Sequence, residues 1–163
     1  MRNFTFSPSY KIALSALIAA LYAGLAMALA PLSFGPVQFR VAEALTLLPF
    51  FVLEAVPGLF AGCLLSNLLG GFGLADVVLG SAATLAAAWL TSRMPNVWLA
   101  AVPPVAVNAA VVGVYLAFLT GTPVWLSVVY IALSQSAICF GIGVPLALYV
   151  SRSHVLDGFR RGR

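Results

Sequence analysis

From Ile12 to Ser151 the chain is a nearly continuous run of apolar, small and uncharged polar residues. Five charged side chains interrupt those 140 positions: Arg40, Glu43, Glu54, Asp76 and Arg93. Proline and glycine cut the run into lengths close to those needed to cross hydrocarbon. The pattern predicts six helices, at about 11–31, 40–53, 56–70, 75–92, 98–119 and 124–151. Between them lie Leu32–Phe39, a tight link around Glu54–Pro57, a flexible Gly70–Gly73, then Arg93–Asn96 and Thr120–Pro123. The second and third helices are short for full spans and are compatible with a re-entrant pair; the parity of the later helices is the same either way. No internal repeat is evident.

Composition turns this pattern into a fold class. The chain has 163 residues, 63% hydrophobic and only 7% charged, with a mean hydropathy of +1.08. A soluble domain of this size needs a charged surface that these residues do not supply. The expectation is an all-α integral membrane protein, one membrane domain over 1–163 with a bundle of about six transmembrane helices. A basic tail, 152–163, closes it.

The net charge of +4 does not indicate nucleic acid, because the basic residues gather at the chain ends. With both termini cytoplasmic, Arg2, Lys11, Arg93, Arg152, Arg160, Arg161 and Arg163 lie inside and only Arg40 outside. That asymmetry follows the positive-inside rule. The first hydrophobic stretch resembles a signal peptide around Ala28-Leu29-Ala30, but its uncharged length is that of a span and Pro31 would follow the cut. It reads as a retained helix.

The first helix carries the sharpest face pattern. Ala16, Ala19, Ala20, Ala23, Gly24 and Ala26 fall on one half of the wheel; Leu14, Leu17, Leu21, Tyr22 and Leu25 fall on the other. Small residues let helices approach closely in lipid, either within the chain or against a partner. Gly58-Gly62-Ser66-Gly70 on the third helix reads as internal packing.

Polar groups within spans are the candidates for chemistry, since each is costly in hydrocarbon. Asn67, Asn108 and Gln135 carry amides able to donate and accept, and Tyr115 follows Asn108 by two turns. Ser127, Tyr130 and Ser134 form a stripe on the sixth helix, and Trp98 and Trp125 sit at helix starts. Asp76 reads either as a helix cap or as a site acid. Glu43, three residues after Arg40, reads as its surface ion-pair partner, and Glu54 as a solvated turn charge. Cys63 and Cys139 have no CxxC spacing, and His154 is the one histidine, so no metal site or cofactor is expected. With no GxxxxGK[ST] loop, a single lysine and no histidine in a span, the chain is not expected to be an enzyme.

Specific segments carry a family resemblance. Ser33-Phe34-Gly35-Pro36-Val37-Gln38-Phe39-Arg40, Glu43-Ala44-Leu45-Thr46, Val56-Pro57-Gly58-Leu59-Phe60, Ser66-Asn67-Leu68-Leu69, Asp76-Val77-Val78, Pro103-Pro104-Val105 and Asn108 resemble the queuosine precursor transporter family, QueT. The likeness runs over about residues 10–150. It implies a substrate-binding S component of an energy-coupling factor (ECF) transporter in the prokaryotic plasma membrane. Such a component would take up a 7-deazaguanine (preQ0, preQ1 or queuine), with another vitamin or nucleobase-like cargo as the alternative. It would work with a membrane coupling protein and two ABC-type ATPases. The coupling protein would dock on Ala16, Ala20, Ala23 and Gly24. Cargo would meet Asn108, Gln135, Glu43, Asp76, Asn67 and Arg40, with Tyr115, Tyr130 or Trp125 stacking on it. The sequence departs from the family at Ser134-Gln135, where a Gly-Glu pair is expected.

Overall fold

The computed structural model describes residues 7–34, 38–70 and 73–152. The predicted Gly35-Pro36 turn, the middle of the Gly70–Gly73 loop and nearly all of the basic tail lie outside them.

Six helical segments account for most of these residues, with a one-turn helix, Ala30–Ser33, after the first. The first segment is Pro8–Ala28. It begins earlier than expected because Ser7 caps it, Oγ accepting from the Tyr10 N–H at 3.3 Å, and Pro8 supplies a helix-ready φ. The second, Val41–Phe50, is a 3-10 helix rather than an α-helix. Pro49 removes a donor from it, and the Thr46 hydroxyl bonds back to the Glu43 carbonyl at 2.5 Å. At roughly 2 Å rise per residue, such a helix stretches ten residues over about 20 Å.

The third segment is Ala55–Gly70 and the fourth Asp76–Thr91, whose first turn, Asp76–Gly80, is π-helical. Val97–Thr120 forms the fifth, and Val124–Arg152 the sixth, with a second π turn at Cys139–Gly143. Pro145 has no N–H for the Gly141 carbonyl, which loosens the helix there. By length and composition Pro8–Ala28, Val97–Thr120 and Val124–Arg152 are able to cross a membrane, and the other three are shorter apolar helices.

The segments run to and fro between two ends of the bundle. At one end Lys11 pairs with Glu54 at 3.4 Å, and Leu14, Phe51, Val97, Ala101 and Ala147 belong to one apolar cluster. At the other, Arg40 meets Asp76. The second and third segments therefore each run from one end of the bundle toward the other. Glu54 is not a free turn charge, since Lys11 pairs with it and the Ser15 hydroxyl donates to its carbonyl at 2.8 Å.

The first and third helices lie parallel and very close. A Cβ on Gly58 would stand 2.7 Å from the Ser15 carbonyl oxygen, and one on Gly62 2.7 Å from that of Ala19. The predicted small stripe on the third helix is thus packed inside the chain. The small half of the first helix is divided: Ala19 and Ala26 face inward with Ile18 and Tyr22, whereas Ala16, Ala20 and Gly24 are exposed and Ala23 is half-buried.

Leucines such as Leu17, Leu21, Leu68, Leu69 and Leu133 face outward, while Arg40, Glu43, Asn67, Asp76, Asn108 and Gln135 are buried. Apolar outside and polar inside is the arrangement expected when hydrocarbon is the solvent.

Candidate functional site

The buried polar residues form one connected cluster toward the end of the bundle where the fourth helix begins. Arg40 sits at its centre, just before the 3-10 helix and 4% exposed. Its guanidinium lies 3.6 Å from Asp76 Oδ2, donates to Cys63 Sγ at 3.6 Å and to Gln38 Oε1 at 3.4 Å, and lies 5.1 Å from the centre of the Phe34 ring. Gln38 has φ of +44°, the left-handed backbone region that non-glycine residues seldom adopt. The chain is bent there at some conformational cost, beside Arg40.

Asp76 is 1% exposed and receives the Tyr115 phenol on Oδ1. It makes no side-chain cap to its own helix, so the capping reading gives way to a role in the cluster. The π turn makes this possible: it places Gly80 directly beside the Asp76 carboxylate. A Cβ on Gly80 would lie 2.9 Å from Asp76 Oδ1, 3.1 Å from Asn67 Nδ2 and 3.2 Å from the Tyr115 hydroxyl. Only glycine lets those three side chains converge.

Asn67 joins the third helix to the fourth, its amide donating to the Asp76 carbonyl at 2.8 Å and to Ser81 Oγ at 3.3 Å. Thr84 donates to Cys63 Sγ at 3.2 Å.

Glu43 occupies the other half of the cluster, 2% exposed. Tyr22 donates to its Oε1 at 2.5 Å and the Asn108 amide to its Oε2 at 3.3 Å. The expected surface pair with Arg40 is absent: both residues are buried, and Arg40 has its ion pair with Asp76. Gln135 approaches from the sixth helix, with Cys139 Sγ 3.9 Å from both its Oε1 and the Glu43 carbonyl.

Asn108, Gln135, Glu43, Asp76, Asn67, Tyr115 and Arg40 are thus brought together. Trp125 and Tyr130 are not: they are 68% and 42% exposed. On the sixth helix the inward face is Ser127, Ile131, Ser134 and Ile138, which turns Tyr130 away.

Tyr22, Gln38, Cys63, Ser81 and Thr84 are members that the sequence reading passed over. Tyr22 sits among leucines on its wheel, yet a phenol at mid-span needs a partner, and that was a usable signal. Cys63 precedes Asn67 by four residues, one helical turn on the same face.

Several buried polar atoms in the cluster have no hydrogen-bond partner among the described residues: Asn67 Oδ1, Asn108 Oδ1, Asp76 Oδ2, Gln38 Nε2 and Arg40 Nε. Leaving such groups unpaired costs about 1–3 kcal/mol each. They are acceptors and donors suited to the edge of a small polar molecule.

The fold and cluster define a multi-pass membrane protein with a polar interior site. The QueT transporter family model matches residues 12–152, and the chain belongs to that family. Over 81 residues it is 41% identical to the queuosine precursor transporter QueT of Lactococcus lactis subsp. cremoris (strain MG1363), a match covering 48% of this chain. The match spans about half of that relative, 47% of its length. No solved structure matches the fold.

Proposed function

We propose that this chain is the substrate-binding S component of an ECF-type importer and takes up a 7-deazaguanine precursor of queuosine. The observation that carries this reading is the buried cluster of Arg40, Glu43, Asn67, Asp76 and Asn108, with its unpaired donors and acceptors, in a chain of the QueT family. A 7-deazaguanine offers N–H donors and a carbonyl acceptor at its pyrimidine edge. Asn67 Oδ1 and Asn108 Oδ1 suit the former, and Gln38 Nε2 and Arg40 Nε the latter.

Cargo must displace some existing contacts. Those of Arg40, at 3.6 Å to Asp76 and to Cys63, are longer than good hydrogen bonds, so its guanidinium can re-aim toward cargo. Tyr115, buried against Asp76, is the aromatic side chain best placed to lie on the ring.

In this reading all six helices cross the membrane and both termini are cytoplasmic. The cluster then opens toward the outside, and the exposed Ala16, Ala20 and Gly24 with Ala23 dock a membrane coupling protein. ATP hydrolysis belongs to two partner ATPases, and the chain itself is not an enzyme. Isothermal titration of the purified subunit with preQ0, preQ1 and queuine tests the cargo. Binding of at least one in the nanomolar to low micromolar range is expected. Indifference to all three, with tight binding of another vitamin, would overturn the assignment.

A further inference from the structure

Among the described residues, three charged side chains are buried: Arg40, Glu43 and Asp76. Two carboxyl groups therefore share one guanidinium. Arg40 has its ion pair with Asp76, at 3.6 Å. Among the described residues Glu43 makes no salt bridge of its own; its two oxygens are met by the neutral Tyr22 phenol and Asn108 amide. Beside it Asn108 Oδ1, on a residue 2% exposed, is an acceptor with nothing to accept from. A carboxylate and an unpaired carbonyl oxygen side by side form a receptor for a group rich in N–H donors. With one guanidinium for two carboxyl groups, the cluster is one positive charge short when both are ionised, and a cationic group would supply it.

We infer that the site selects cargo carrying a protonated amine, and that Glu43, helped by Asn108 Oδ1, holds the ammonium. This rests on the deazaguanine reading above and sharpens it. A neutral deazaguanine can pair its ring edge here but cannot cancel the charge of Glu43. A primary ammonium brings three donors and a positive charge to a carboxylate and a neighbouring residue's free carbonyl oxygen. Hydrogen bonds between ionised partners are about twice as strong as neutral ones.

The test uses two ligands that share one ring. preQ1 carries an aminomethyl group, protonated at neutral pH, and preQ0 carries a neutral nitrile. Both are titrated by calorimetry into the purified full-length subunit, wild type and Glu43→Gln. The wild type should bind the aminomethyl compound at least about tenfold tighter, in line with a hydrogen-bonded charged pair. Glu43→Gln should remove most of that preference, bringing the ratio of the two affinities toward one whatever its effect on either ligand alone.

Equal wild-type affinities, or a tighter nitrile, would overturn the inference while leaving the deazaguanine assignment standing. A Glu43→Gln loss shared equally by both ligands would also overturn it, since Glu43 would then be reading the ring. Binding of neither compound overturns this inference, and the cargo reading falls with it only where queuine is ignored as well. The wild-type ratio decides the matter even where the variant does not fold.

Discussion

The Tyr22 phenol reaches across the bundle to Glu43, donating to Oε1 at 2.5 Å with both residues essentially sealed from the surface. With the close approach of the third helix at Gly58 and Gly62, this contact sets the rotation of the first helix against the 3-10 helix. That rotation sends Ala19 and Ala26 inward and leaves Ala16, Ala20 and Gly24 outside.

Tyr22→Phe keeps the ring and removes the donor. A buried carboxylate oxygen that loses its partner costs about 1–3 kcal/mol, so the thermal midpoint of the detergent-solubilised subunit should fall by several degrees. Tyr149→Phe is the control, since Tyr149 is 72% exposed, and its midpoint should not move.

Gly80→Ala tests the π turn. A methyl group there meets Asp76, Asn67 and Tyr115 within 3.2 Å, whereas alanine by itself favours a helix by about 1 kcal/mol. The two effects point in opposite directions. Folding should survive, and cargo affinity should drop by roughly fivefold or more as the three polar groups are pushed apart. Gly141→Ala, with nothing within 4 Å of the added carbon, should bind normally.

Ala20→Leu addresses the exposed small face of the first helix. In lipid no hydrophobic term replaces packing lost when two helices are held apart. Uptake by cells carrying the whole transporter should fall severalfold while the isolated subunit binds cargo as before. Equal loss of both would assign Ala20 to packing within the chain.

Much of this arrangement was legible in the sequence. The six segments follow from Pro, Gly and the scarcity of charge, and seven of the nine expected cargo-site residues do meet, because buried polar groups in hydrocarbon need one another. Three features were not legible, and each depends on packing. The 3-10 form of Val41–Phe50 has no periodic signature in a segment apolar on nearly every face. Asp76 reads either as a cap or as a site acid, and the choice is made only by the π turn that brings Tyr115 and Gly80 beside it. A mid-span phenol signals that Tyr22 needs a partner, but which one it meets depends on the third helix, whose Gly58 and Gly62 let the first helix pack closely there.

Cysteine labelling tests the proposed topology. Cys63 and Cys139 are both free and buried and are first replaced. Pro95→Cys and Pro123→Cys then place a thiol at exposed positions in two different links between helices. An impermeant maleimide added to intact cells should label the Pro123 position and leave the Pro95 position unmodified until the cells are opened. Labelling of Pro95→Cys from outside would invert the orientation and put the cluster at the cytoplasmic face.

Asn108 and Trp125 were both candidates for contact with cargo, and the structure separates them. Asn108 is buried, donates to Glu43 and keeps a free carbonyl oxygen; Trp125 is 68% exposed at the start of the sixth helix. A cargo of about a dozen heavy atoms reaches nanomolar affinity only near ~1 kcal/mol per atom, so nearly every polar edge must be paired. Asn108→Ala removes one such pairing and strips a donor from Glu43, which should weaken binding roughly 5- to 150-fold. Gln135→Ala, one helix away and linked through Cys139, should weaken it less. Trp125→Ala should leave affinity unchanged, because an indole 68% exposed stands outside the buried cluster, as a side chain at a headgroup boundary would. Calorimetry on the three purified variants checks the order. A Trp125→Ala loss as large as that of Asn108→Ala would mean that cargo lies above the cluster, under the outer loops, and not within it.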